Sequence, residues 1–113
     1  MQTLDKRTSD ACVYDINCAA ILDPAEIITS VSSITADQGG LTFGVVTVNP
    51  TAIAYPDGST AAVGKVVQMQ ISGGAIPAGS PFLLCMVRVH LVTSVNLSLE
   101  ATVQLRLIDN PVF

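Results

Sequence analysis

Along residues 97–107 apolar and polar side chains alternate without a break. Leu97, Leu99, Ala101, Val103, Leu105 and Leu107 interleave with Ser98, Glu100, Thr102, Gln104 and Arg106. A helix of 3.6 residues per turn would scatter that polar set around its circumference. Period two puts it on one face of a strand and gives the six apolar residues to a core. Burial on one face only implies an antiparallel sheet. Residues 82–93 show one wholly apolar face, Leu83, Cys85, Val87, Val89 and Leu91, and a second that turns polar at Arg88 and His90, as in a central strand. The two segments predict a hairpin across Ser94-Val95-Asn96, with Asn96 suited to left-handed backbone angles.

Shorter runs of the same kind occur at Cys12, Tyr14 and Ile16, at residues 27–34, at Leu41, Phe43 and Val45, at residues 52–55, and at Val67, Met69 and Ile71. Turn signals separate them at Asp37-Gln38-Gly39-Gly40, Tyr55-Pro56-Asp57-Gly58, Ser72-Gly73-Gly74 and Pro77-Ala78-Gly79. A single helical turn is expected at Pro24-Ala25-Glu26, capped by Asp23. About seven evenly spaced strands predict an all-β fold, an immunoglobulin-like antiparallel β-sandwich, with a small barrel or jelly roll as the competing architecture. Residues 11–109 are expected to form the single domain, with residues 1–10 as an extended N-terminal arm and residues 110–113 as a C-terminal tail.

Composition narrows the function classes. Half of the 113 residues are hydrophobic and 12% are charged, about half the usual share. Of nine acidic and five basic residues, seven fall in the first 26 positions. A net charge of −4 leaves little with which to neutralise phosphates, so neither nucleic acid nor an anionic membrane is an expected partner. Arg88 and His90 interrupt the longest apolar run before it could span a bilayer as a helix. The basic pair Lys6-Arg7 is followed by no apolar segment of the secretory type, so synthesis in the cytoplasm is expected. Three cysteines, Cys12, Cys18 and Cys85, make an odd set expected to be reduced.

No constellation predicts an enzyme or a cofactor. The stretch from Gly58 to Lys65 has five residues between its glycines instead of the four of a phosphate loop, and Val66 follows the lysine where a hydroxyl is required. His90 is the sole histidine and has no carboxylate near it in sequence. Cys12 and Cys18 lack a second cysteine pair, so a tetrahedral zinc site is short of ligands, and Asp15-Ile16-Asn17 and Asp37-Gln38-Gly39-Gly40 lack the alternating acids of a calcium loop. Asn96-Leu97-Ser98 matches a glycosylation acceptor that a cytoplasmic protein would not use.

Low surface charge lowers the desolvation cost of assembly, which suits a module covered by neighbours. The candidate partner contacts are Asp5, Lys6, Arg7 and Asp10 in the arm and Pro111, Val112 and Phe113 in the tail.

The run 6–10, Tyr14-Asp15-Ile16-Asn17, Leu22, residues 27–31 and Ile71-Ser72-Gly73-Gly74 together resemble the pattern of small bacteriophage fiber-tail adaptor proteins. In that group a charged lead precedes a Tyr-x-Ile-Asp type strand, a leucine, an Ile-x-Ser segment, a Ser-Gly-Gly turn and two long terminal strands. Residues 49–64 have the look of an insertion in that pattern. The resemblance implies an immunoglobulin-like virion protein, made in the host cytoplasm, present in several symmetric copies, and joining fiber or other virion proteins to the tail, neck or head. Two alternatives are a decoration or cement protein of the capsid and a carbohydrate-binding module for host attachment. The second has few aromatic rings to build from, with no Trp, two Tyr and three Phe.

Overall fold

A computed structural model describes residues 2–96 and 98–109. The chain is all-β, in nine strands among the described residues: β1 Thr3–Arg7, β2 Cys12–Asn17, β3 Ile28–Ala36, β4 Leu41–Val48, β5 Ile53–Ala54, β6 Thr60–Ala61, β7 Val66–Gly73, β8 Phe82–Thr93 and β9 Leu99–Ile108. Four of them form one sheet in the order β1-β9-β8-β3, and three form a second in the order β2-β7-β4. The short β5 and β6 pair only with each other.

The inward faces follow the period-two reading. Cys85, Val87, Val89 and Leu91 of β8 and Leu105 and Leu107 of β9 are fully buried, and Ala101 and Val103 nearly so. Opposite them stand Ile16 of β2 and Val67, Met69 and Ile71 of β7. Each large aliphatic removed from water contributes about 1.5–3 kcal/mol, so this shared layer holds the two sheets together. The register of β8 on β9 runs unbroken from Phe82 opposite Ile108 to Leu91 opposite Leu99. A slip of one residue would turn both apolar faces to solvent.

The expected N-terminal arm is in fact part of the first sheet. Residues 3–7 pair with 104–108 in parallel, so that sheet is mixed rather than purely antiparallel. Thr3, Asp5 and Arg7 are exposed, Leu4 is half-buried against the core, and Lys6 is buried. The seven strands of the two main sheets therefore include β1 and exclude residues 53–54, which make the separate hairpin. Leu97 and the tail residues Pro111, Val112 and Phe113 lie outside the described residues.

Two smaller expectations also change. The helical turn falls at Ala19–Ile21, where it is 3-10, while residues 23–26 make a turn closed by Glu26 N donating to the Asp23 carbonyl at 2.9 Å. The capping runs the other way from expectation, since the Glu26 carboxylate accepts from Asp23 N at 3.1 Å. No described residue other than glycine has a positive φ, so Asn96 does not use left-handed angles. The Thr93 hydroxyl holds that loop, accepting from Asn96 N at 2.8 Å and from Val95 N at 3.3 Å.

The Thr93 end of the sandwich is closed by buried polar side chains whose partners are mostly main chain. Asn49 Oδ1 accepts from Val66 N at 3.0 Å, and its Nδ2 donates to the Ala62 and Thr51 carbonyls at 2.9 and 3.0 Å. The Lys65 ammonium donates to the carbonyls of Asp23 at 2.9 Å, Pro24 at 3.2 Å and Glu26. Glu26 in turn accepts from the Thr93 hydroxyl. No buried side-chain donor or acceptor among the described residues lacks a partner, so the cluster stabilises the loop ends instead of storing strain.

Candidate functional site

One flank of the sandwich is unusual. β3 ends the first sheet and β4 ends the second. Their sequences, ITSVSSITA and LTFGVVTV, contain neither a charged residue nor proline. Edge strands of soluble proteins are commonly protected by such residues, because a row of unpaired N–H and C=O groups invites another strand. Here the protection is limited to irregularities. β3 shifts register at Thr29 and Ser32, whose hydroxyls donate to the Val92 and His90 carbonyls at 3.0 and 3.1 Å. β4 bulges after Phe43, which leaves Val45 74% exposed.

The opposite flank is stitched by β1. The main chain of Gln2 belongs to the first sheet, its carbonyl accepting from Gln104 N at 3.0 Å. Its side-chain amide belongs to the second, accepting from Asn17 N at 3.0 Å and donating to the Asp15 carbonyl at 2.9 Å. At the other end of β1 the Lys6 ammonium donates to the Gly73 carbonyl of β7 at 2.7 Å and to the Arg7 carbonyl at 2.8 Å. Burial lowers the lysine pKa, and Asp10 partly offsets that. Below Gln2 the flank opens into a cavity of about 330 Å³ between β9 and the η turn at Ala19–Ile21, lined by Ile16, Ala20, Ile21, Ala101 and Val103 with Gln2, Asn17 and Thr102 at its polar side.

The outward faces carry the ion pairs. Asp5 and Arg106 meet in a two-pronged contact at 2.9 and 3.2 Å across the β1–β9 pairing. Glu100 lies 3.7 Å from Arg88 and 3.5 Å from His90. Such exposed pairs contribute about 0–1 kcal/mol each. His90 thus has a carboxylate neighbour, and Ser33 stands opposite it on β3. The described cavities lie elsewhere. On the second sheet Tyr55 folds over the outer face, its hydroxyl donating to Asp15 at 3.1 Å, while Gln68 donates to the other oxygen of the same carboxylate at 3.3 Å. Among the described residues no three His, Cys, Asp or Glu side chains gather as metal ligands would.

No family model matches this chain, and no similar curated protein or solved structure is found. The site therefore stands on its own geometry.

Of the residues singled out from the sequence, Asp5 is held by Arg106, Lys6 is buried between the sheets, and Arg7 is exposed at the end of β1. Asp10 accepts from Arg7 N at 3.3 Å in the turn that follows. They do not form one exposed contact patch. The features that sequence reasoning missed are Gln2, whose amide has no distinguishing neighbours, and the two uncharged edges, whose position needs the strand order. A signal for the latter was present in the absence of charge from residues 27–36 and 38–56.

Proposed function

We propose that this chain is a structural module of a bacteriophage virion, an adaptor that joins fiber or other virion proteins to the tail, neck or head and is present in several copies. The observation that carries the assembly reading is the β3–β4 flank, two neighbouring edge strands without a single charge. An uncharged edge loses little on desolvation and supplies main-chain hydrogen bonds to a partner. The phage context is supported only by the resemblance of residues 6–17, 22, 27–31 and 71–74 to fiber-tail adaptors. Immunoglobulin-like topology is part of the same reading. If the seven principal strands are lettered A to G in chain order, the sheets become A-G-F-C and B-E-D, the partition of an immunoglobulin sandwich with its first strand carried to the G edge.

The test places lysine on each edge at exposed positions, Ser30→Lys in β3 and Thr47→Lys in β4. Both single variants should keep the far-UV circular dichroism and urea midpoint of the parent. Their incorporation into purified phage particles should fall about tenfold or more, since a buried unpaired charge costs several kcal/mol. Undiminished incorporation of the double variant would overturn the flank as the docking surface. A particle reconstruction with the chain spread over the head shell would replace the adaptor by a decoration protein.

A further inference from the structure

Among the described strands β1 pairs with β9 and with no other, residue for residue from Thr3 opposite Gln104 to Arg7 opposite Ile108. The side chains that anchor it reach groups beyond residue 11. Asp5 meets Arg106, Lys6 donates to the Gly73 carbonyl, and the Gln2 amide bonds Asn17 N and the Asp15 carbonyl. The connection to β2 is short. Residues 8–11 lead from the first sheet to the second, across a core about 10 Å thick. Part of their length is taken up by a turn in which Asp10 N donates to the Arg7 carbonyl at 3.1 Å and the Asp10 carboxylate accepts from Arg7 N at 3.3 Å. None of the four is buried. Opening that turn into an extended link therefore uncovers no core and gives up hydrogen bonds that water can replace.

We infer that two copies of this chain exchange β1, each laying residues 3–7 along β9 of the other, with residues 8–11 as the hinge. The contacts that seat β1 in its own molecule are offered unchanged by a second copy, so the fit of the occupant is the one the structure displays: Leu4 and Lys6 inward, Asp5 on Arg106, Lys6 on Gly73. Exchange conserves the β1–β9 interface, and its cost is chiefly the entropy of joining two chains. The hinge works against that cost. A short connection must bend back within one chain but runs straight into the next, which favours exchange. The order of synthesis acts in the same direction, because β9 follows the other eight described strands and each β1 waits while neighbouring chains complete theirs. The exchange is reciprocal, so it closes on a two-fold axis as a dimer. It uses neither the β3 nor the β4 edge, and it does not depend on a phage context.

Disulfide trapping tests it. Asp5 and Arg106 stand opposite each other in register and both are exposed, so Asp5→Cys with Arg106→Cys, in a Cys12→Ser background, links β1 to whichever β9 it lies on. After refolding at millimolar concentration, about half of the chains or more should run as a linked dimer on a non-reducing denaturing gel. A Gly-Ser-Gly insertion between Ser9 and Asp10 should lower that share several-fold by letting β1 fold back. Cross-links confined to single chains, with either hinge and at every concentration, overturn the exchange. So does a dimer seen by native mass spectrometry whose disulfides each close their own chain, and that result would leave the assembly reading of the β3–β4 flank intact. A second pair of variants serves if the cysteine protein does not fold. Asp5→Arg and Arg106→Asp each set like charges together within one chain, whereas exchange between them restores two opposite pairs. Refolded together they should give more mixed dimer by native mass spectrometry than random pairing does, and the absence of mixed dimer overturns the inference.

Discussion

The Lys6 ammonium donates to the Gly73 carbonyl at 2.7 Å, tying the outermost strand of one sheet to the central strand of the other. Gly73 and Gly74 both have positive φ, at 72° and 112°, so the chain leaves β7 in a left-handed conformation that only glycine adopts freely. A Cβ on Gly74 would come within 2.9 Å of Leu107 Cδ2. That backbone turns the Gly73 carbonyl toward β1, and the lysine stem covers the path between the sheets.

Lys6 therefore separates a strand from a contact arm. Lys6→Met keeps the buried stem and should change stability by about 1 kcal/mol or less, because the Arg7 and Gly73 main chains are exposed enough to find water. Lys6→Glu places an acid against two carbonyls and should lose about 3 kcal/mol or more. Urea denaturation reads both. A silent Lys6→Glu would mean that β1 is detached in solution.

The Glu26 carboxyl is held below the usual carboxylate range, first by the Thr93 hydroxyl and then by the Asp23 amide, with Lys65 adding to the effect and burial opposing it. A depressed folded-state pKa stabilises at pH above the unfolded value of about 4.3 and loses that contribution as pH falls through the folded value. The urea midpoint should drop on acidification from about pH 5 to pH 3, and drop less in Glu26→Gln. Parallel curves for the two proteins would remove Glu26 from the acid response.

Asn49→Ala strips a donor from the Ala62 and Thr51 carbonyls and leaves the buried Val66 N–H without its acceptor. A loss of about 2–3 kcal/mol is expected from the unsatisfied amide, with exchange rising at Val66 first. Wild-type stability in this variant would show that water replaces the amide there.

Thiol chemistry should split one against two. Cys12 is exposed, whereas Cys18 and Cys85 are buried, and burial pushes the Cys18 thiol up to about 11 and raises that of Cys85. At pH 8 a disulfide reagent should titrate one thiol promptly and the other two only as fast as the fold opens. Two rapid equivalents would mean that one of the inner faces is accessible.

Residues 82–107 were legible from sequence because each side chain's fate depends on the next but one, a local rule. β1 was not. Asp5, Lys6 and Arg7 in succession read as solvated, its partner lies at the far end of the chain, and a parallel pairing leaves no turn to announce it. Lys6 is buried for a reason that only the tertiary structure supplies, the Gly73 carbonyl. The region 52–55 misled for the opposite reason. Its short apolar run is a real strand, but Tyr55 carries it onto the outer face of β2 and β7, not into a main sheet. For the candidate surface, charge depletion was visible at once, while its concentration on two adjacent edges depended on strand order.

The β1–β9 pairing also sets a timetable. Asp5 and Arg106 are 101 positions apart, so β1, made before the other eight described strands, waits for β9 before it has a partner. Until then β9 is absent, β1 has no strand to pair with, and the chain can be only a partial sandwich. Completion is thus a late, non-local event, of the kind that slows folding and lengthens the exposure of uncharged edges to other nascent chains.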